Sequence, residues 1–335
     1  SEIVRPIRRD PLGGQKGGAM EYNKPIADMC PGMDVEGFYI LRAAALKTTN
    51  SGKPFLSATV TDKSGSLDLK AWDYSGPVGA PTDAGKVVKI RADVTEYRGS
   101  IQLTASNIRM ATQEDSYDVS ALVPVAPIDR DETLEKVRSL IASMEDRDYR
   151  VLAETMLERH LETFRSIPAA KSVHHSFLSG LLMHTANMLC LADFLAGQYS
   201  QIIDRSLLLT GTLLHDFAKE KEFTFSQLGV VTDYSRKGQL LGHLVMGAQE
   251  IAQVAAELGT PEEKSLLLQH MILSHHGEPE FGAAVKPMFA EADLLSQIDM
   301  LDSRMEIYAE TLPGVPAGTF SSRIFALDKR IYHHE

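Results

Sequence analysis

Cysteine is almost missing from this 335-residue chain. Its two copies, Cys30 and Cys190, lie far apart and outside any CxxC pairing, which excludes a disulfide framework and a thiolate zinc site. Long apolar runs are missing as well. None approaches the roughly 18 residues a spanning helix needs, so the sequence does not read as an integral membrane protein. The stretch SEIVRPIRRDPLGGQKGGAM has no hydrophobic segment of the signal-peptide kind, and a cytoplasmic location is expected. Basic charge is short too, with 34 Lys and Arg against 45 Asp and Glu, an unhelpful balance for a nucleic-acid binder taken whole. What is there is a globular composition, 44% apolar and 24% charged, in a chain long enough for two domains.

The charge is unevenly divided. Residues 1–125 carry 15 basic and 15 acidic side chains, and residues 126–335 the remaining 19 and 30. All eleven histidines fall in the second part, from His160 to His334. An acidic half that holds every histidine can use bound cations to handle an anionic substrate.

From Asp34 to about Met110 the pattern has period two, with β-branched residues and turn signals. The stretches DVEGFYILRAAALKT, PFLSATVTD, SLDLKAWD, KVVKIRADVTEY and IQLTASNIRM read as five strands, with SGPVGAPTDAG inserted between the third and fourth. Five strands in about 80 residues predict a small Greek-key barrel, and their order and spacing resemble an OB-fold. Alternation puts Leu56, Ala58, Val60, Leu67, Leu69, Ala71, Val88, Ile90, Ala92 and Val94 in the barrel core. The opposite face then carries Phe55, Trp72 and Tyr97 among Lys70, Lys89, Arg91 and Arg98. Aromatic rings among cations suit the stacking of unpaired bases along a phosphate backbone. The competing reading packs Phe55 and Trp72 under the loop 74–85.

The expected division is a flexible tail over 1–28, an OB-type nucleic-acid-binding domain over 29–122, a Pro-containing joint over 123–130, and an all-α domain over 131–335 that ends in a C-terminal extension. Leu134, Val137, Leu140 and Ile141 form one helical stripe, and Leu152, Met156 and Leu157 another. Further helices are predicted over 176–197, 204–219, 241–258, 262–275 and 289–310. Within them runs an ordered series: His184, His215–Asp216, His243, His275–His276 and Asp299. Neutral imidazole and carboxylate are ligands of first-row divalent cations. Seven donors exceed what one ion requires and suit two, with the Asp of the HD pair as a bridge. His160, His270, His333 and His334 read as ordinary core or surface residues.

This series resembles the HD-domain metal-dependent phosphohydrolases in their dinuclear form. The phrases VHHSFLSGLLMHT, GTLLHDFAKEKEF, GQLLGHLVMG, MILSHHGEPEFGAAVKP and GTFSSRIFALDKRIY are similar to those of the YhaM-type 3′→5′ exoribonucleases, which carry an OB-fold ahead of the HD domain. The resemblance covers about residues 30–335. It implies one metal on His184, His215, Asp216 and Asp299, and a second on Asp216, His243, His275 and His276. It implies Mn²⁺ foremost, with Co²⁺, Fe²⁺, Zn²⁺ or Mg²⁺ as alternatives. Asp216 and Lys219 would be catalytic, with Lys219 and His175 on the substrate phosphate. Asp302 shares a face with Asp299 and competes with it. The motif departs from the family at Met183, where a carboxylate is expected beside the first ligand.

Two metals can clamp a phosphodiester and activate water. The expected activity is 3′→5′ exonucleolytic hydrolysis of single-stranded RNA, with DNA as a further substrate, to nucleoside 5′-monophosphates. The alternatives are a phosphodiesterase or phosphatase for small nucleotides and a non-catalytic RNA-binding regulator. No membrane partner is expected, and the aliphatic helices leave room for a homo-oligomer.

Overall fold

The computed structural model describes residues 20–97, 99–170, 176–226 and 228–335. The chain divides into two compact units between Leu122 and Val123.

The first unit is a closed five-stranded barrel, as the alternation predicts. Strand β1 (Glu21–Tyr22) is a two-residue parallel addition to β2 (Asp34–Thr48). Strands β3 (Pro54–Asp62), β4 (Gly65–Trp72), β5 (Val87–Tyr97) and β6 (Ser100–Met110) complete the sheet in the order β1-β2-β3-β4-β6-β5. Pairing of β2 with β5 closes the barrel. This closure depends on β2, whose first half pairs with β5 and whose second half pairs with β3, with a register shift between Leu41 and Ala43. An irregularity of this kind bends a strand and lets it serve two neighbours.

All ten residues assigned to the barrel core lie inside except Leu67, which packs against the core while partly exposed. Each fully buried aliphatic side chain there contributes about 1.5–3 kcal/mol. A short helix, α1 (Val119–Leu122), ends the unit.

The second unit is helical. It comprises α2 (Arg130–Ala142), α3 (Arg147–Arg159), α4 (Leu161–Phe164), α5 (Gly180–Gln198), α6 (Arg205–Leu214), α7 (Lys219–Glu222), α8 (Arg236–Leu258), α9 (Glu262–Ser274) and α10 (Ala290–Thr311). Asp129, Asp146, Asp204 and Ser235 cap α2, α3, α6 and α8 by accepting hydrogen bonds from first-turn N–H groups. Residues 124–126 run extended and join Leu178 through a parallel bridge.

The expectation of a purely α domain is corrected in detail. Two small sheets are also present: β7 (Phe223–Phe225) with β8 (Val231–Tyr234), and β9 (Thr319–Phe320) with β10 (Tyr332–His333). A second correction concerns α5, which is long and apolar enough to cross a membrane by length and composition. Over half of it is buried inside the structure, with Leu181, Leu182, Met188 and Leu189 in the helical core. That burial accounts for its composition: a helix apolar on most sides is a core helix when other helices surround it.

Candidate metal centre

The first group of donors is set by α5, α6 and α10. His184 lies in the second turn of α5 and is buried. Its Nδ1 lies 2.7 Å from Asp302 Oδ2, and its Nε2 lies 3.2 Å from Asp299 Oδ1 and 3.3 Å from His215 Nε2. Asp299 and Asp302, one turn apart on α10, thus hold opposite edges of one ring. Asp302 orients His184 and Asp299 faces the centre, so their competition resolves into two roles. His215 follows the end of α6, where its Nδ1 donates to the carbonyl of Thr212 at 2.7 Å and its Nε2 lies 3.2 Å from Asp216 Oδ2.

The second group depends on a break in α8. Gly242 has φ 70° and ψ 163°, non-helical values inside the helix that are essentially restricted to glycine. The break exposes the His243 N–H, which donates to Glu222 Oε1 at 3.1 Å, while His243 Nδ1 sits 3.0 Å from both Glu222 oxygens. Glu222 therefore caps the restarted helix and fixes the ring at once. His275 follows α9 and donates from Nδ1 to the carbonyl of Ile272 at 2.7 Å. A ring nitrogen held in this way directs the other nitrogen at a metal and raises its basicity.

The two groups meet at Asp216. His184, His215 and Asp299 present donor atoms within 4.8 Å of one another, as do His243, His275 and His276. Asp216 Oδ2 faces the first group, and its Oδ1 lies 3.5 Å from His243 Nε2 and 3.8 Å from His275 Nε2. Asp216 Oδ1, His243 Nε2, His275 Nε2 and His276 Nδ1 are all buried with no hydrogen-bond partner among the described residues. Leaving one such atom unsatisfied costs about 1–3 kcal/mol; Asp216 Oδ1, His243 Nε2 and His275 Nε2 lie together, and with the first group they fit the donor set of a pair of divalent cations. The seven residues named by the sequence are the ones brought together.

The electrostatics separate the donors. Burial pushes His275 well below the ordinary imidazole value, and the neighbouring His276 and His215 push the same way. Burial likewise lowers His276. Burial also opposes charge on His184, but hydrogen bonds to Asp299 and Asp302 outweigh it and raise the ring to about 9. Asp216 and Asp299 stay far below the usual carboxylate range: burial works against them, but Lys219 and the histidines beside Asp216, and His184 beside Asp299, overcome it. The acids are thus ready ligands, and His275 and His276 are neutral.

Lys219 begins α7, and its Nζ donates to Asp216 Oδ2 at 2.7 Å. It lines a cavity of about 410 Å³ together with His184, His275, His276 and Asp299. His175, expected on the phosphate, and Arg98, expected on the barrel face, lie outside the described residues. Of the other histidines, His160 is buried between Glu220 and Glu250, and His270 accepts a hydrogen bond from the Met288 N–H. Met183, where a carboxylate was expected, leaves the ring of His184 no less supported, since α10 supplies both acids. Glu222 and Asp302 are the supporting carboxylates sequence reasoning did not assign. The signal for Asp302 was its i+3 spacing from Asp299, whereas Glu222 sits in a KEKE run that reads as solvated.

The structure splits the expected aromatic and cationic face of the barrel. Phe55 and Trp72 are cross-strand neighbours with ring centroids 5.0 Å apart, and Trp72 is 53% exposed. Lys70, two residues before Trp72 on the same face, donates to Ser57 Oγ at 2.5 Å, and Lys47 lies opposite Phe55 on β2. Lys89 instead lies opposite Phe38, about 30 Å of strand path from Lys47. There Lys89 pairs with Glu36 at 2.9 Å and Arg91 with Asp34 at 3.5 Å. Tyr97 is exposed at the β5–β6 end, opposite Ser100. Alternation assigns side chains to a face, but closure wraps that face around the barrel and separates the strands.

Residues 181–304 match the family described as HD domain, a span that contains all seven donors. An HD domain indicates a metal-dependent hydrolase. The chain is also similar to the second OB-fold domain of replication protein A from Methanococcus maripaludis, at 16% identity and TM-score 0.21 over 29% of this chain and 100% of that one. A second structure of a domain of that protein matches at 15% identity and TM-score 0.24 over 27% of this chain and 94% of that one. A replication protein A heterotrimer bound to single-stranded DNA matches at 10% identity and TM-score 0.20, over 24% of this chain and 58% of that one. These values carry no argument about function. The class defined by fold and site is an OB-like barrel followed by a helical, HD-containing unit with a candidate metal centre.

Proposed function

We propose that the protein is a 3′→5′ exonuclease that hydrolyses single-stranded RNA, and DNA as well, to nucleoside 5′-monophosphates. The observation that carries this reading is the meeting of His243 Nε2 and His275 Nε2 at Asp216 Oδ1, three buried ligand atoms without a hydrogen-bond partner among the described residues, beside a cavity that His184, Asp299 and Lys219 also line. His184, His215, Asp216 and Asp299 would hold one cation, and Asp216, His243, His275 and His276 the other, with Mn²⁺ the first candidate. Bound there, two cations would lower the pKa of a water and offset charge on a phosphodiester.

The chain's own residues do the rest. Asp216 keeps its charge under burial and presents one oxygen to each group. Lys219, held at 2.7 Å from Asp216, places a positive charge on the cavity wall where phosphate oxygens gain charge in the transition state. Asp302, Glu222 and the carbonyls of Thr212 and Ile272 keep the imidazoles aimed. On the barrel, the paired rings of Phe55 and Trp72 between Lys47 and Lys70 suit stacked bases and their phosphates, and a strand so held on the same chain reaches the hydrolytic site at raised local concentration.

The test uses a 5′-labelled single-stranded oligonucleotide with Mn²⁺. A ladder that shortens from the 3′ end, with 5′-monophosphates as product, is the expected result. An intact oligonucleotide across several metals contradicts the proposal. Turnover of free or cyclic nucleotides alone would assign the site to small nucleotides.

A further inference from the structure

The cavity beside the ligands does not end at them. One face of α10 lines it over three turns, through Ser296, Asp299, Met300, Ser303, Arg304 and Ile307, the spacing of a single helical stripe. At 1.5 Å per residue the stripe is about 16 Å long. Asp299 marks the metal end. Arg304 lies about 7.5 Å farther along the helix axis.

Among the described residues two cations line this wall, and they differ. Lys219 is spoken for by Asp216. Arg304 is half-buried, and its guanidinium has no hydrogen-bond or ion-pair partner among the described residues. A guanidinium is always charged and offers five donors in a planar fork that matches phosphate oxygens. Held partly out of water and without a carboxylate, it calls for an anion. Met300 and Ile307 supply apolar surface on the same stripe, so the groove suits a ligand that alternates anionic and apolar parts.

We infer that Arg304 binds a second phosphate of the substrate, adjacent to the scissile one, and so favours substrates with two phosphates over those with one. This rests on the phosphodiester hydrolysis proposed above. At a 3′-hydroxyl end the only neighbouring phosphate is upstream. Arg304 therefore takes the phosphate one nucleotide 5′ of the cleaved bond. Arg304 is a binding and specificity residue in this arrangement, and the bond-breaking step belongs to the metal centre.

The test compares a dinucleotide carrying a 5′-phosphate with its 5′-hydroxyl counterpart. The full-length protein should prefer the phosphorylated form by about tenfold or more in kcat/KM, mostly through KM, as a charge-assisted contact requires. In Arg304→Ala the ratio should fall to near one, and Arg304→Lys should retain part of it. Equal use of both dinucleotides by the wild type, or a preference that survives in Arg304→Ala, overturns the inference. Calorimetric binding of the same two dinucleotides reports the preference even if neither is hydrolysed. Failure of the hydrolytic reading and failure of the phosphate contact are then separate results.

Discussion

His160 and the seven-donor cluster are both buried among the helices of the second unit, and both are ringed by carboxylates, but only one of them is closed. His160 bonds Glu220 at 2.7 Å through Nδ1 and Glu250 at 2.8 Å through Nε2. Glu220 also accepts from Thr163, and Glu250 from Lys221. Burial opposes the charge, yet the two carboxylates lift His160 to about 9. In the other cluster His243 and His275 are held on one side only, and four ligand atoms have no hydrogen-bond partner among the described residues. A satisfied buried network ties α4, α7 and α8 together. An unsatisfied one requires something the chain does not supply. Counting hydrogen-bond partners separates the two where histidine content does not.

The contrast predicts opposite phenotypes. Asp216→Asn should lower hydrolysis by at least about 10³-fold and abolish binding of metal at both groups, while its denaturation midpoint moves less than that of a His160 variant. Activity assays, metal titration and denaturant melts check this.

His160→Gln should do the reverse, costing about 3 kcal/mol of stability near pH 6 with metal content unchanged. The folded pKa of His160 lies above its unfolded value, so its contribution is full below about pH 6.5 and is lost as the pH rises through about 9. Glu250, held at about 2 against burial by His160 and Lys221, contributes above about pH 4.5 and loses this as the pH falls toward 2. Denaturation of both proteins from pH 5 to 10 should show curves that converge at the alkaline end.

Asp302→Asn and Glu222→Gln sharpen the comparison within the cluster. Each removes support from one imidazole, and each should weaken metal binding by about 10–100-fold. Calorimetric titration should show the loss in a different binding step for each variant. Equal loss in both steps would mean that the groups are not separate sites.

An effect of similar size is expected on the barrel. Trp72→Ala should weaken single-stranded oligonucleotide binding by about 1–3 kcal/mol, measured by fluorescence anisotropy. Lys89→Ala should weaken it less, because Lys89 is paired with Glu36.

Much of this was legible in the sequence because it is local. Leu56, Ala58 and Val60 alternate inward as written, and the helix stripes of α2 and α3 are buried where the periodicity puts them except for Leu140, which is partly exposed. The seven donors could be named since each lies in a distinctive phrase at a helix end or face. What was not legible depends on long-range register. Lys89 and Trp72 share a face in alternation but not a neighbourhood, because β2 carries one end of the barrel to β5 and the other to β3. Glu222 looks like one charge of a solvated run until the break at Gly242 brings the His243 N–H to it. Arg304 is an ordinary helical arginine by sequence, and only the cavity along α10, which it shares with the paired Lys219, sets it apart.

The central claim is that the unsatisfied cluster holds two ions on either side of Asp216. Anomalous diffraction from crystals soaked in Mn²⁺ tests it most directly. The account predicts two peaks per chain, one among His184, His215 and Asp299 and one among His243, His275 and His276, with Asp216 between them. No peak there, or a single peak on one side of Asp216, would contradict it.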